Sequence, residues 1–454
     1  MLVVYIEKVI YAILCFMESK NTSQTLNFRV TGGRSLSGSV ETKKSKNAAV
    51  ALLCASLLNE GTTTLKKVPK IEEVFRTIEV LQSMGSKIDW RGSDLVIDTS
   101  KINPQKINKE SASKTRTIIM MIGPLIHRFK NFSLPFAGGC KLGSRIVSPH
   151  FFALENLGVK IKTSDNEYNI RAPKLRSADI VLYEMGDTVT ENALMAAAKI
   201  DGVSTIKFAS SNYMVQDLCH FLNTLGVQIE GIGTSTLIVR GKKDIRMDVV
   251  FEMSEDPIES MFFLTAGIVT QSHIQITKCP INFLELELLK LKKMGLKYKL
   301  SNVYKGENGF VNLVDIEVFP SKLKALPEKI HALPYPGINI DNLPFFAVIA
   351  TQAEGETLIH DWVYEKRAIY YTELEKLGAQ IILADPHRVY IKGRTTLKPA
   401  EVVTPPALRP AAIILIGMLG ARGTSILRNV YSINRGYEDL VKRLNQLKAK
   451  IESC

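Results

Sequence analysis

Cysteine is scarce in this chain. Six residues in 454 (Cys15, Cys54, Cys140, Cys219, Cys279 and Cys454) lie scattered, and no CxxC pair occurs. Such spacing excludes a disulfide framework and suits a reducing, cytoplasmic setting. The seven histidines form no paired ligand motif, so neither a metal nor a cofactor is expected. Long apolar runs are missing as well. Residues 1–17 are apolar, but Glu7 and Lys8 interrupt them, far short of the roughly 18–20 residues of a membrane span. They also lack the basic start and small-residue cleavage site of a signal peptide. Residues 1–24 therefore read as an N-terminal extension, with no membrane span. No basic stripe interleaved with aromatics occurs, which argues against a nucleic-acid partner.

What remains is ordinary for a globular protein: 46% hydrophobic, 23% charged, and long enough for two or three domains. The net charge of +13 describes either a lysine-rich surface or a cleft that attracts anions.

The informative feature is repetition. A leucine-spaced helix runs into Gly85, Gly158, Gly226, Gly295 and Gly378 in turn. A degenerate sixth copy spans 440–448, where Lys448 replaces the glycine. Marks recurring about every 70 residues describe one supersecondary unit used six times. Each unit also holds an apolar helix that ends near a glycine and precedes a short strand, at 47–61, 191–202, 343–355 and 410–423. Poorer versions lie at 120–128 and 261–270. The two helix types differ. Val74, Ile78, Leu81 and Met84 form one apolar stripe, whereas 48–58 and 411–419 are apolar or small nearly all round and must be buried. Three units can enclose three buried helices within a ring of sheets and outer helices. Two such halves give an α/β protein of two domains.

Charged or polar residues open the buried helices: Lys46, Arg116, Thr190-Glu191, Glu259, Asp341 and Arg409. Capping at the surface explains Glu191 and Glu259. It explains Lys46, Arg116 and Arg409 poorly, because a cation at a helix N-terminus opposes the dipole. If these ends converge between the halves, they form an anion site. Between the second buried helix and the next strand, residues 135–145 surround Cys140 with Gly138, Gly139 and Gly143. Lys141 and Arg145 there favour a reactive thiolate. A thiol-hydrolase reading needs a base, and nothing in the sequence orients the nearby His150.

These residues occur together in one known order. Ser45-Lys46-Asn47-Ala48-Ala49, Gly139-Cys140 with Arg145 five positions on, Asp341 after a proline-rich turn, Glu365-x-Arg367, Leu408-Arg409 and Arg435-Gly436-Tyr437-Glu438 resemble the enolpyruvyl transferases over residues 26–452. Cys140 places the resemblance on the sugar-nucleotide branch of that family. It implies two inside-out α/β domains of three repeats each, one from 25–45 plus 255–454 and one from 46–254. It also implies transfer of the enolpyruvyl group of phosphoenolpyruvate to the 3-hydroxyl of UDP-N-acetylglucosamine, with release of phosphate, for peptidoglycan precursor synthesis. By the same resemblance, Lys46, Arg145 and Arg435 would hold phosphate or carboxylate, with Arg367 and Arg409 near the carboxylate and Arg116 near the loop. Asn47 and Val363 would lie by the substrates. Cys140 would protonate the methylene carbon and Asp341 would deprotonate the acceptor hydroxyl. The enzyme would be a monomer or weak homo-oligomer whose partners are phosphoenolpyruvate and a nucleotide-sugar or nucleotide acceptor.

The nucleotide half departs from the family pattern. Ser148, Pro257 and Ala407 stand where an aspartate, an arginine nearby and an aspartate are usual. No lysine occurs within 183–187, and the turn at Asp341 continues Asn-Leu-Pro. Two alternatives follow: an enolpyruvyl transferase for another acceptor, such as a nucleoside monophosphate, or a degenerate paralogue without activity.

Overall fold

The computed structural model describes residues 26–136, 147–164 and 166–454. The extension 1–24 and the centre of the Cys140 loop, including Cys140 and Arg145, lie outside the described residues.

The chain folds as a two-domain α/β protein. Six sheets of three to five strands are built from the described residues. Phe28–Gly32 pairs with Gly423–Arg428 and Ile451–Ser453, and Ser37–Glu41 pairs with His273–Pro280. Thr62–Lys66 instead pairs with Val249–Glu252 and Asp94–Asp98. Three sheets thus draw on residues 28–41 and 273–453, and three on residues 62–252. The chain passes between the two sets at 42–46 and again at 253–256. These passages lie side by side, joined by the antiparallel bridge Lys44↔Glu255.

The repeat marks have a backbone cause. Gly85, Gly158, Gly226, Gly295 and Gly378 end their helices with φ between +85° and +105°, the left-handed region open to glycine. Lys448 takes up the same turn at φ +69°, so the sixth copy keeps the geometry without the residue that suits it.

The buried helices divide into two sets. Pro257–Val269, Leu343–Ala350 and Leu408–Gly420 pack on one another. Their apolar side chains, such as Phe262, Phe345 and Ile414, are inaccessible to water, each contributing about 1.5–3 kcal/mol by burial. In the other half Lys46–Ala55 packs against Asp187–Ala197 and Tyr213–Thr224. The helix expected over 120–128 is irregular: a 3-10 turn, Thr117–Met121, runs into a single α-turn, Ile122–Leu125. Gly123 permits this, since a Cβ there would stand 2.6 Å from the Asn192 carbonyl oxygen. Its N–H donates to Asn192 Oδ1 at 2.8 Å. The fifth repeat also differs from expectation, because Leu343–Ala350 stops early and Ala353–His360 is already strand. Among the described residues, no helix is long and apolar enough to cross a membrane.

Candidate active site

The helix starts at Lys46, Asp256, Asp341 and Arg409 meet between the halves. Lys46 is the first residue of Lys46–Ala55, whose N-cap Ser45 accepts from the Ala48 N–H. Burial lowers the Lys46 pKa. Glu73 and Asp341 oppose that lowering, and Arg409 and Arg435 add to it. All four charged neighbours are therefore close, three of them from the opposite half. The Lys46 backbone N–H also reaches Asp256 Oδ2, 3.4 Å away, at the start of Pro257–Val269.

Asp341 stands just before Leu343–Ala350 in a turn fixed from below. Its N–H donates to Asn339 Oδ1 at 2.8 Å, and the buried Glu287 accepts from the Asn339 N–H and from Asn342 Nδ2. The unusual Asn342 thus serves as a floor for the turn. Arg409, second in Leu408–Gly420, donates to Asp341 Oδ2 at 3.3 Å and to the Tyr437 hydroxyl at 2.9 Å.

Arg367 is fully buried. It grips Asp361 through Nε at 2.5 Å and Nη2 at 2.8 Å, and Nη2 also donates to the Ile340 carbonyl. Tyr371 donates to the same Asp361 carboxylate, and the guanidinium lies over the Tyr364 ring. Among the described residues Arg367 Nη1 has no hydrogen-bond partner, and it lies 3.9 Å from Asp341 Oδ1. A buried donor with this geometry suits an incoming oxyanion. Val363 lies in the turn between Asp361 and Arg367, with its side chain exposed.

Arg435 forms a 2.5 Å ion pair with Glu73 of the opposite half. Arg116 precedes Thr117–Met121, and its charge is felt at His150. That histidine is oriented, contrary to the expectation from sequence: Asn192 Nδ2 lies 3.1 Å from Nδ1, and Thr188 Oγ1 lies 3.4 Å from Nε2. Burial, with Arg116, lowers its pKa to about 4, so it stays neutral in the interior.

The third helix opening needs correction. Asp187–Ala197 begins before Thr190-Glu191, and Glu191 is buried, its carboxyl pushed well up by burial and by Asp187 and Asp217. Asp187 is the residue at that helix end. Its oxygens accept from Ser210 Oγ at 2.6 Å and Asn212 Nδ2 at 3.3 Å, and its charge couples to Asp341. Glu259 stands in the first turn of Pro257–Val269. Asp256 caps it, and Glu259 accepts from Arg443 Nη2 and the Lys43 N–H, both at 2.7 Å. Asn47 donates to the buried Tyr213 hydroxyl at 3.1 Å, and the Tyr213 ring meets Phe283 of the other half edge-on at 5.7 Å.

An EPSP synthase (3-phosphoshikimate 1-carboxyvinyltransferase) family profile matches residues 30–444. The chain is 34% identical to the UDP-N-acetylglucosamine 1-carboxyvinyltransferase of Bradyrhizobium diazoefficiens, covering 94% of this chain and 98% of that one. It is 35% identical to the protein of the same name from Treponema denticola, over 93% and 98%. The chain belongs to the enolpyruvyl transferase family. Solved enolpyruvyl transferases share its fold. NikO from Streptomyces tendae superposes with a TM-score of 0.82 at 22% identity, over 95% of this chain and 99% of that one. EPSP synthase from Acinetobacter baumannii gives 0.73 at 16%, over 95% and 100%. The chain is therefore a member of a transferase family.

Among the described residues, no group of three or more histidine, cysteine or acidic side chains is arranged to hold a metal ion. Sequence reasoning missed Glu73, Asp361, Tyr371 and Tyr213. Nothing in the sequence marked Glu73 apart from the other polar residues of its helix.

Proposed function

We propose that the protein transfers the enolpyruvyl group of phosphoenolpyruvate to the 3-hydroxyl of UDP-N-acetylglucosamine, releasing phosphate, in peptidoglycan precursor synthesis. The observation that carries this reading is the gathering of Lys46, whose N–H reaches Asp256 of the other half, with Arg409 bonded to Asp341 and Arg435 bonded to Glu73. Phosphoenolpyruvate brings a phosphate and a carboxylate that need several fixed cations. Lys46 and Arg435 take the phosphate end, and Arg367 and Arg409 take the carboxylate through planar donors. Asp341 accepts the proton of the attacking hydroxyl, held by Arg409 and backed by Arg367. Asn47 lies at the acceptor, and Arg116 at the entrance near the Cys140 loop. Cys140 delivers a proton to the methylene carbon. The acceptor oxygen then bonds to the carbon that still carries phosphate; breaking the bond from that carbon to the phosphate oxygen, with loss of a proton from the new methyl group to a nearby base, restores the double bond. The names of the relatives support the choice of acceptor.

A second reading keeps the same donor chemistry with another acceptor, such as a nucleoside monophosphate. The departures at Ser148, Pro257 and Ala407 favour it, since they remove charged residues usual in the nucleotide half. One experiment separates the two: phosphate release and product mass with phosphoenolpyruvate and a panel of acceptors. Turnover with UDP-N-acetylglucosamine supports the first reading, and turnover only with another acceptor selects the second. No turnover with any acceptor overturns both. An epoxide phosphonate should add its mass to the peptide containing Cys140, and an unmodified peptide would remove Cys140 from the mechanism.

A further inference from the structure

The cationic cluster contains an acid that the transfer reaction does not use. Glu73 lies in the first turn of Glu72–Ser83, and its side chain is 12% exposed. Its two oxygens have separate partners. Oε2 meets Arg435 Nη2 of the opposite half at 2.5 Å, and Oε1 accepts from Thr115 Oγ1 of its own half at 2.9 Å. Burial pushes the Glu73 carboxyl up, but Lys46 and Arg435 outweigh burial and hold it below its ordinary value. It is therefore a full negative charge lying among the groups assigned above to the substrate phosphate.

We propose that Glu73 is an internal stand-in for the substrate anion, a positioning residue that holds Arg435 until an incoming phosphate displaces it. The inference rests on the anion-site reading above. A carboxylate and a phosphate both accept charge-assisted hydrogen bonds from a guanidinium, so the two compete for Arg435. Glu73 can let go without becoming an unpaired buried charge. Thr115 still donates to it, and the N-terminal end of Glu72–Ser83 favours a carboxylate. Because the pair spans the two halves, displacement also frees one tie between them. Glu73 acts on Lys46 as well, since its charge supports the lysine proton against burial and the two arginines.

The test is calorimetric titration with inorganic phosphate, which needs no acceptor and no turnover. Glu73→Gln keeps the shape and removes the competing charge. It should bind phosphate about tenfold more tightly at neutral pH, the weight of one charge-assisted bond. The pH above which phosphate binding is lost should fall, because Lys46 loses its support. Thr115→Val removes the alternative partner of Glu73 and should weaken phosphate binding several-fold. These opposite signs are not what a merely structural role would give. Equal or weaker phosphate binding by a folded Glu73→Gln protein, or an unmoved alkaline limit, overturns the stand-in while leaving the anion site intact. Phosphate binding by neither wild type nor Glu73→Gln overturns the anion site and the stand-in together.

Discussion

The two walls of the candidate site are built differently. The wall carrying Asp341 is self-sufficient: Arg367 is clamped by Asp361 and Ile340, Arg409 by Tyr437 and Asp341, and the Asp341 turn by Glu287. The facing wall reaches outward. Lys46 touches Asp256 through its backbone, Glu73 pairs with Arg435, and Tyr213 leans on Phe283, all across the gap. One wall is held by contacts within its own half, and the other by contacts with the opposite half. Preorganised donors cost nothing to orient at the moment of reaction, which suits the wall that binds the carboxylate and holds the base.

Substitutions can break this comparison. Asp341→Asn keeps the wall's shape but removes the base, so turnover should fall by a factor of about 10²–10⁴. Phosphoenolpyruvate binding measured calorimetrically should persist; a variant with near-normal turnover would remove Asp341 from the chemistry. Arg367→Ala leaves Asp361 as an unpaired buried charge. It should cost roughly 3–5 kcal/mol in denaturant unfolding, whereas Lys46→Ala on the outward-reaching wall should leave stability within about 1 kcal/mol. Comparable losses at the two positions would erase the distinction.

Acid sharpens it further, because the second half carries two interior histidines. Burial lowers the pKa of His127 and of His150 to about 4. Below the ordinary histidine value the unfolded chain binds protons that the folded chain refuses. Stability should therefore fall as pH drops from about 6.5 towards 4, by roughly 3 kcal/mol for each ring. Urea midpoints across that range check it, and His127→Phe should flatten the slope. The smallest effect is expected at Tyr437→Phe, which removes one hydrogen bond to Arg409. A few-fold rise in the KM for phosphoenolpyruvate would follow from about 1 kcal/mol, with kcat nearly unchanged.

Much of this was legible in the sequence, for identifiable reasons. The helix ends at Gly85 through Gly378 announce themselves because a left-handed residue favours glycine, and Lys448 follows the same turn by position alone. Lys46, Asp341 and Arg409 were visible because charge beside an apolar run is unusual. Glu73 was not, since its partner is 362 positions away and an acid early in a helix looks ordinary. The start of Asp187–Ala197 was misplaced because Asp187 and Thr190 are equally good opening residues. The irregular second helix packs Gly123 closely against Asn192, an approach between distant segments that the sequence does not display. The roles of Cys140 and Arg145 rest on resemblance alone.

The paired strands at Lys44 and Glu255 give the molecule one pivot. With both covalent links at a single edge, rotation about that edge moves nearby groups little and the far rim a great deal. Lys46 stands two residues from the pivot. Were the halves to turn about it, a small ligand held there would feel almost no change, while anything larger, seated further out, would be gripped or released.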